Sequence, residues 1–168
     1  MVEVRTDRVA GGGDAVGRGP DGRAVFVEDG LPGEVVRARV TRVRRRHAHA
    51  SATEVLVAAP GRRPAPCPEG ARGCGGCGWQ HATEELQAEM RLRIVEDALA
   101  RIGRIADAVV EPGTNLASHG TRTTVRAVVE DGRAGYRSRR GHDRVAVASC
   151  RVLHPRLEEL LVEGRFGD

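Results

Sequence analysis

This chain holds four cysteines, and their placement limits its fold more than any other feature. Three lie together in Cys67-Pro-Glu-Gly-Ala-Arg-Gly-Cys74-Gly-Gly-Cys77, and the fourth, Cys150, stands far downstream. The two glycines between Cys74 and Cys77 let the backbone fold tightly enough for both sulfurs and nearby N–H groups to face one centre. Three local thiolates joined by one remote thiolate fit a four-cysteine [4Fe–4S] site made by Cys67, Cys74, Cys77 and Cys150. Structural zinc is the rival, although zinc sites more often use two paired C-x-x-C knuckles. Unrelated buried thiols are a third reading. A thioredoxin-like redox pair is disfavoured, because no βαβ pattern surrounds Cys74 and Cys77.

The compartment bears on this choice. No apolar run reaches the roughly 18 residues of a membrane-spanning helix, and the start, Met1-Val-Glu-Val-Arg-Thr-Asp, lacks the apolar stretch of a signal peptide. A cytoplasmic location is expected, where clustered cysteines mean metal or catalysis more often than disulfides. Only Trp79, Tyr136, Phe26 and Phe166 are aromatic. The core must therefore be aliphatic and thin, which raises the value of a metal or a partner domain to stability.

Along the chain, residues 1–59 read as five short strands broken by turns: Val2 to Val9, Ala15 to Gly19, Arg23 to Glu28, Glu34 to Val43 and Ala48 to Val57. Five such strands suggest a small closed barrel of the OB type. A Pro-rich linker, residues 58–66, leads to the cysteines. Residues 83–102 carry the stripe Leu86, Met90, Ile94, Leu99 and Ile102, predicting an amphipathic helix with Thr83 as N-cap and Gly103 as stop. Asp131-Gly132 signals a hairpin between Thr121–Glu130 and Arg133–Tyr136. Arg144 to Ala148 reads as a strand, and Pro155 to Glu163 as a short helix with Leu157, Leu160 and Leu161 on one side. The fold class is thus mainly β with α (α+β), with a first domain over residues 1–59 and a metal-binding central subdomain over 60–168.

The net charge is +4, and every basic residue is arginine. Between Glu34 and Glu54 there is no acid, while Arg37, Arg39, Arg42, Arg44, Arg45 and Arg46 concentrate there, followed by His47 and His49. Alternation turns Val36, Ala38 and Val40 inward and Arg37 and Arg39 outward, with a phase slip near Thr41. Such a ridge suits a phosphate backbone; the competing reading is a solvated face. Phe26, the single ring in the barrel, is expected in the core, which leaves little for base stacking. Tyr136-Arg137-Ser138-Arg139-Arg140 forms a second basic patch, read chiefly as a polar loop. Trp79 is read as packing that shields the metal centre.

Taken together, these residues resemble a known family. The glycine-rich barrel with its Arg-heavy strand looks like a TRAM domain, an OB-like RNA-binding module. Followed by Cys67…Cys74-Gly-Gly-Cys77-Gly-Trp79-Gln80-His81 and a helix, it is similar to the S-adenosylmethionine-dependent RNA 5-methyluridine (uracil-C5) methyltransferases (TrmA/RumA type). Ser149-Cys150-Arg-Val-Leu-His-Pro155 is similar to the segment that supplies their fourth cluster ligand. The resemblance implies a TRAM barrel that grips ribosomal or transfer RNA, a cluster-binding helix and a small β subdomain, with the cluster holding that subdomain in shape. In that family a Rossmann-like domain binds S-adenosylmethionine and carries the catalytic residues. No glycine-rich cofactor loop and no spare cysteine occur among residues 1–168. The expectation is that the Rossmann-like methyltransferase domain is absent, that the chain does not methylate alone, and that a separate methyltransferase domain is a partner. A stand-alone TRAM-type RNA-binding protein and a zinc-stabilised adaptor are the alternatives. A radical methylthiotransferase is disfavoured, because its C-x-x-x-C-x-x-C triplet precedes the TRAM domain.

Overall fold

Alternating small aliphatic residues build the first half of the molecule, whose computed structural model describes residues 1–114, 116–139 and 141–167. Strands β1 (Val2–Val9), β2 (Ala15–Arg18), β3 (Ala24–Glu28), β4 (Val35–Val43) and β5 (His47–Val57) close into a barrel in the order β1-β2-β3-β5-β4. The closing pair, β1 with β4, is antiparallel, and β3 with β5 is the parallel one. Val4, Val25, Val27, Val36, Ala38, Ala48 and Ala50 fill the interior. Each buried valine contributes about 1.5–3 kcal/mol. The β4–β5 register shifts between Val40 and Arg42, so the outward alternation of arginines breaks there.

Two features hold this small barrel at its crossings. Gly17 is required by space: a Cβ there would lie 2.1 Å from the Arg5 carbonyl oxygen and 2.7 Å from Val4 Cγ1. The second feature is an ion pair that nothing local in the sequence announces. Glu34 is fully buried, and its carboxylate accepts from the backbone N–H of Leu31 (2.9 Å) and of Ala59 (3.2 Å). Arg62 completes it, with Nε 2.5 Å from Oε1 and Nη2 2.8 Å from Oε2. Arg62 Nη2 also donates to the Asp29 carbonyl at 2.7 Å. The turn before β4 is thereby tied to the segment after β5.

Helix α1 (Glu84–Arg101) begins at Thr83, whose Oγ1 accepts from the Leu86 N–H at 3.4 Å. Glu84 and Glu85 sit at its positive end. Its stripe does not bury as a unit: Met90 alone is buried, and Ile102 is 82% exposed. Gly103 bonds back to the Ala98 carbonyl, but the left-handed residue at the stop is Arg104 (φ 57°).

The second half is built from β6 (Val128–Glu130), β7 (Arg133–Arg137), β8 (Arg144–Val145) and α2 (Pro155–Glu163), with β7 central in a three-stranded sheet. Asp131 and Gly132 both have positive φ, the geometry of a tight hairpin turn. The strands are shorter than expected because residues 121–122 pair elsewhere. Arg122 donates to the Val152 carbonyl (2.8 Å) and accepts from the His154 N–H (3.0 Å). Ala134, Tyr136, Val147, Cys150, Leu153 and Leu161 form this half's core, with Leu157 packed on it and Leu160 half exposed.

Two compact units result, and they interleave in sequence, where a single cut near residue 60 is expected from composition. One comprises Met1–Pro64 and His81–Pro112; the other comprises Ala65–Gln80 and Gly113–Asp168. Helix α1, expected as the cluster-binding helix, falls in the barrel's unit, and all four cysteines fall in the other. Among the described residues no helix is long and apolar enough to cross a membrane.

Candidate metal centre and nucleic-acid interface

The cysteine loop is wound by its own backbone. Cys67 precedes a 3-10 turn, Pro68–Gly70, whose first position suits proline because no N–H is needed there. The Arg72 and Cys74 N–H groups both donate to the Glu69 carbonyl, at 3.1 and 3.0 Å. Gly73, at φ 96°, then reverses the chain. Cys67 N–H donates to Gln80 Oε1 at 3.2 Å, which closes the loop at its ends. Gly75 N–H donates to the Arg137 carbonyl (3.2 Å), and Arg139 N–H to the Gly73 carbonyl (3.0 Å), so the loop is stitched to the end of β7.

Sulfur geometry is set by this winding. Gly76 N–H donates to Cys74 Sγ at 3.4 Å. A Cβ on Gly76 would lie 3.5 Å from that sulfur and 3.8 Å from the Tyr136 ring, so glycine keeps side-chain bulk away from the sulfur. Cys150 is buried, with its Sγ 3.1 Å from the Tyr136 hydroxyl and its N–H donating to Glu158 Oε1 at 2.7 Å. All four cysteines are free thiols.

Burial pushes the Cys74 thiol up; the Gly76 N–H pulls it back, and Cys150, Cys67 and Glu69 push it further up. Burial likewise raises Cys77, Arg122 opposes, and Cys150, Cys74 and Cys67 add to the rise. The Tyr136 hydroxyl is raised by burial and by its bond to Cys150. Burial thus favours the protonated form of the Cys74 and Cys77 thiols. A cationic centre among them inverts that logic and stabilises the thiolates. Among the described residues no group of three or more His, Cys, Asp or Glu side chains could hold a single metal ion. Four cysteines carried by one unit are a donor set of the chemistry that an iron–sulfur centre requires.

Glu69 is a residue the sequence did not single out. Its buried carboxylate accepts from the Ala148 N–H and from Arg72 Nη1, both at 3.2 Å. It links the loop of Cys67 and Cys74 to the irregular segment that follows β8 and carries Cys150; the strand expected over Arg144 to Ala148 ends at Val145. Trp79 is half-buried beside the loop, in a left-handed conformation (φ 53°).

The arginines divide into paired and unpaired sets. Arg37, Arg39, Arg42, Arg44, Arg45 and Arg46 are all exposed. Arg37 is ion-paired with Glu54, its register partner on β5, so it is neutralised within the barrel. Among the described residues, Arg39, Arg42, Arg45 and Arg46 have no carboxylate partner within ion-pair distance. Arg45 and Arg46 form the tip between β4 and β5, closed by the Arg44 N–H donating to the His47 carbonyl at 2.8 Å. Phe26 corrects the expectation of a core ring. Val25 and Val27 take the interior, and alternation turns Phe26 outward against His47 and His49. In the second patch, Arg137 meets His142 Nδ1 at 2.8 Å, and Arg140 lies outside the described residues.

Comparison with known proteins places this geometry among others. Residues 1–53 match the TRAM domain family. A Corynebacterium efficiens protein named as an RNA methyltransferase is 36% identical over 96% of this chain, which spans 38% of that relative. The Halomonas elongata 23S rRNA (uracil(1939)-C(5))-methyltransferase RlmD is 36% identical over 95% of this chain, which spans 34% of it. In structure, the Pyrococcus abyssi tRNA (uracil-54, C5)-methyltransferase, solved with S-adenosyl-L-homocysteine, superposes with a TM-score of 0.60 at 23% identity. That match covers 95% of this chain and 34% of the other. These coverages overturn the expected absence of a Rossmann-like methyltransferase domain. Nearly all of this chain matches about a third of a methyltransferase, so it reports nothing about the remaining length. The expectation of a separate methyltransferase domain as partner, with S-adenosylmethionine confined to a missing part, loses its ground with it.

Proposed function

We propose that this chain, whose residues 1–53 match the TRAM domain family and whose relatives are named RNA methyltransferases, is the RNA-gripping and cluster-holding part of an S-adenosylmethionine-dependent RNA uracil-C5 methyltransferase. Methyl transfer to ribosomal or transfer RNA is proposed for the whole protein. No residue among 1–168 is assigned a catalytic or S-adenosylmethionine-binding role. The barrel of residues 1–59 presents Arg39, Arg42, Arg44, Arg45 and Arg46 to phosphates, while Arg37 serves the barrel through Glu54. Cys67, Cys74, Cys77 and Cys150 hold a [4Fe–4S] cluster. One observation carries this reading: Cys150, far downstream in sequence, lies in the same compact unit as Cys67, Cys74 and Cys77.

A cluster suits the site better than zinc. Three local thiolates and one remote thiolate suit a cluster, whereas zinc sites more often use two paired C-x-x-C knuckles. When bound, the cluster supplies four metal–thiolate bonds that cross-link the loop to the segment of Cys150. The protein's own share is to order the loop through Glu69, Gln80 and the edge of β7, and to shield Cys150 behind Tyr136, Val147 and Leu153. The test is iron, sulfide and zinc analysis with an absorption spectrum on full-length protein purified without oxygen. About four irons and four sulfides per chain are expected; one zinc without sulfide refutes the cluster. RNA binding is read separately by fluorescence anisotropy.

A further inference from the structure

Three rings meet on the outside of the barrel. Phe26 and His49 stack with centroids 5.2 Å apart and planes 23° off parallel. His47 meets Phe26 edge-on at 5.6 Å and His49 edge-on at 5.3 Å. All three are half-buried. Strand register explains the meeting: Phe26 on β3 faces His49 on β5, and His49 faces Arg42 on β4. Directly opposed residues share one face of a sheet, so Arg42, His49 and Phe26 form a row across three strands. His47 continues directly into the Arg45–Arg46 tip, and Arg23 braces that tip by donating to the Arg44 carbonyl at 3.3 Å. The ring cluster is edged by Arg42, Arg45 and Arg46, which among the described residues have no carboxylate within ion-pair distance, and it meets Asp14, whose Oδ2 lies 4.0 Å from His49 Nδ1. Aliphatic residues would fill an outward barrel position equally well; rings beside unpaired arginines match the two halves of a nucleotide.

We propose that Phe26, His47 and His49 form a stacking platform for an unpaired base of single-stranded RNA, with Arg42, Arg45 and Arg46 holding the flanking phosphates. The site rests on the reading of the barrel as an RNA grip and gives that grip a base-contacting centre. Stacking tolerates any base, since every base has a π-face, whereas the arginines read charge alone. The site therefore distinguishes unpaired RNA from a bare polyanion, which a basic ridge by itself cannot do.

The test uses the full-length, cluster-loaded protein and two labelled probes of equal length: a short single-stranded RNA and its abasic counterpart, which keeps the phosphates and lacks the bases. Replacing both histidines, His47→Ala with His49→Ala, is expected to weaken binding of the base-bearing RNA about tenfold and leave the abasic probe and the salt dependence unchanged. His47→Phe with His49→Phe is expected to retain affinity, which separates stacking from histidine charge. Arg42→Ala with Arg45→Ala and Arg46→Ala is expected to weaken both probes and flatten the salt dependence. Equal loss on both probes, or no loss, in the double-alanine variant overturns the platform while leaving the RNA grip intact. If the unaltered protein binds neither probe, the RNA grip fails, and the platform fails with it.

Discussion

Removing Arg62 isolates the largest electrostatic commitment in the barrel. In Arg62→Met the side-chain volume is nearly kept, but Glu34 loses two charge-assisted hydrogen bonds while staying fully buried. Two backbone N–H groups, from Leu31 and Ala59, still reach the carboxylate, so it is not wholly stranded. Breaking one side of a buried pair costs about 3–5 kcal/mol. Arg62 keeps 21% of its side-chain surface in water, which places the expected loss near the lower end, about 3 kcal/mol. For a chain of this length that is a fall in Tm of roughly 6–12 °C. Urea unfolding of the full-length protein followed by circular dichroism measures the free-energy loss, and thermal unfolding measures the shift in midpoint. The double variant Glu34→Leu with Arg62→Met removes both charges and should recover part of the loss, giving a coupling of at least about 1 kcal/mol in the double-mutant cycle. An Arg62→Met variant as stable as the parent, or strictly additive effects in the cycle, would refute the idea that this pair ties the turn before β4 to the segment after β5. Because β4 carries the exposed arginines, RNA affinity should fall with stability in the single variant and return in the double.

The same contacts imply other outcomes. Cys150→Ser is expected to abolish the iron–sulfur absorption of anaerobically purified protein and to lower its thermal midpoint, because metal binding is coupled to folding; retention of full iron content counts against Cys150 as a ligand. Gly17→Ala pushes a methyl group into the Arg5 carbonyl and should cost about 3 kcal/mol or more by urea titration; a loss below the error of the titration contradicts the close approach. Glu69→Ala leaves the Ala148 N–H without its acceptor and should destabilise the cysteine-bearing unit by about 1–3 kcal/mol. Glu69→Gln keeps an oxygen for that N–H and should lose less; equal effects in the two variants argue against the hydrogen bond.

Features resting on neighbours in sequence were legible from it. The alternation of Val36, Ala38 and Val40 with Arg37 and Arg39 is a property of one strand, and so is the phase slip after Val40. Thr83 before two glutamates announces a helix start, and Asp131-Gly132 announces a hairpin. Spacing also brought Cys150 into consideration, since a four-thiolate centre needs a fourth donor. Residues 1–168 carry no information on any further domain, and the inferred absence of a catalytic one fell to comparison with longer relatives.

Tertiary structure alone decided the partners. Glu54 neutralises Arg37, Arg62 finds Glu34, and Glu69 receives the Ala148 N–H, each across a separation that no local pattern encodes. It turned Phe26 outward and aligned it with His49 and Arg42, because period two gives each strand two faces but does not say which neighbour it pairs with or in what register. It assigned helix α1 to the barrel's unit and the cysteine loop to the other. Local chemistry thus chose the elements. Strand register and long-range burial, which depend on the whole chain at once, chose which side chains meet.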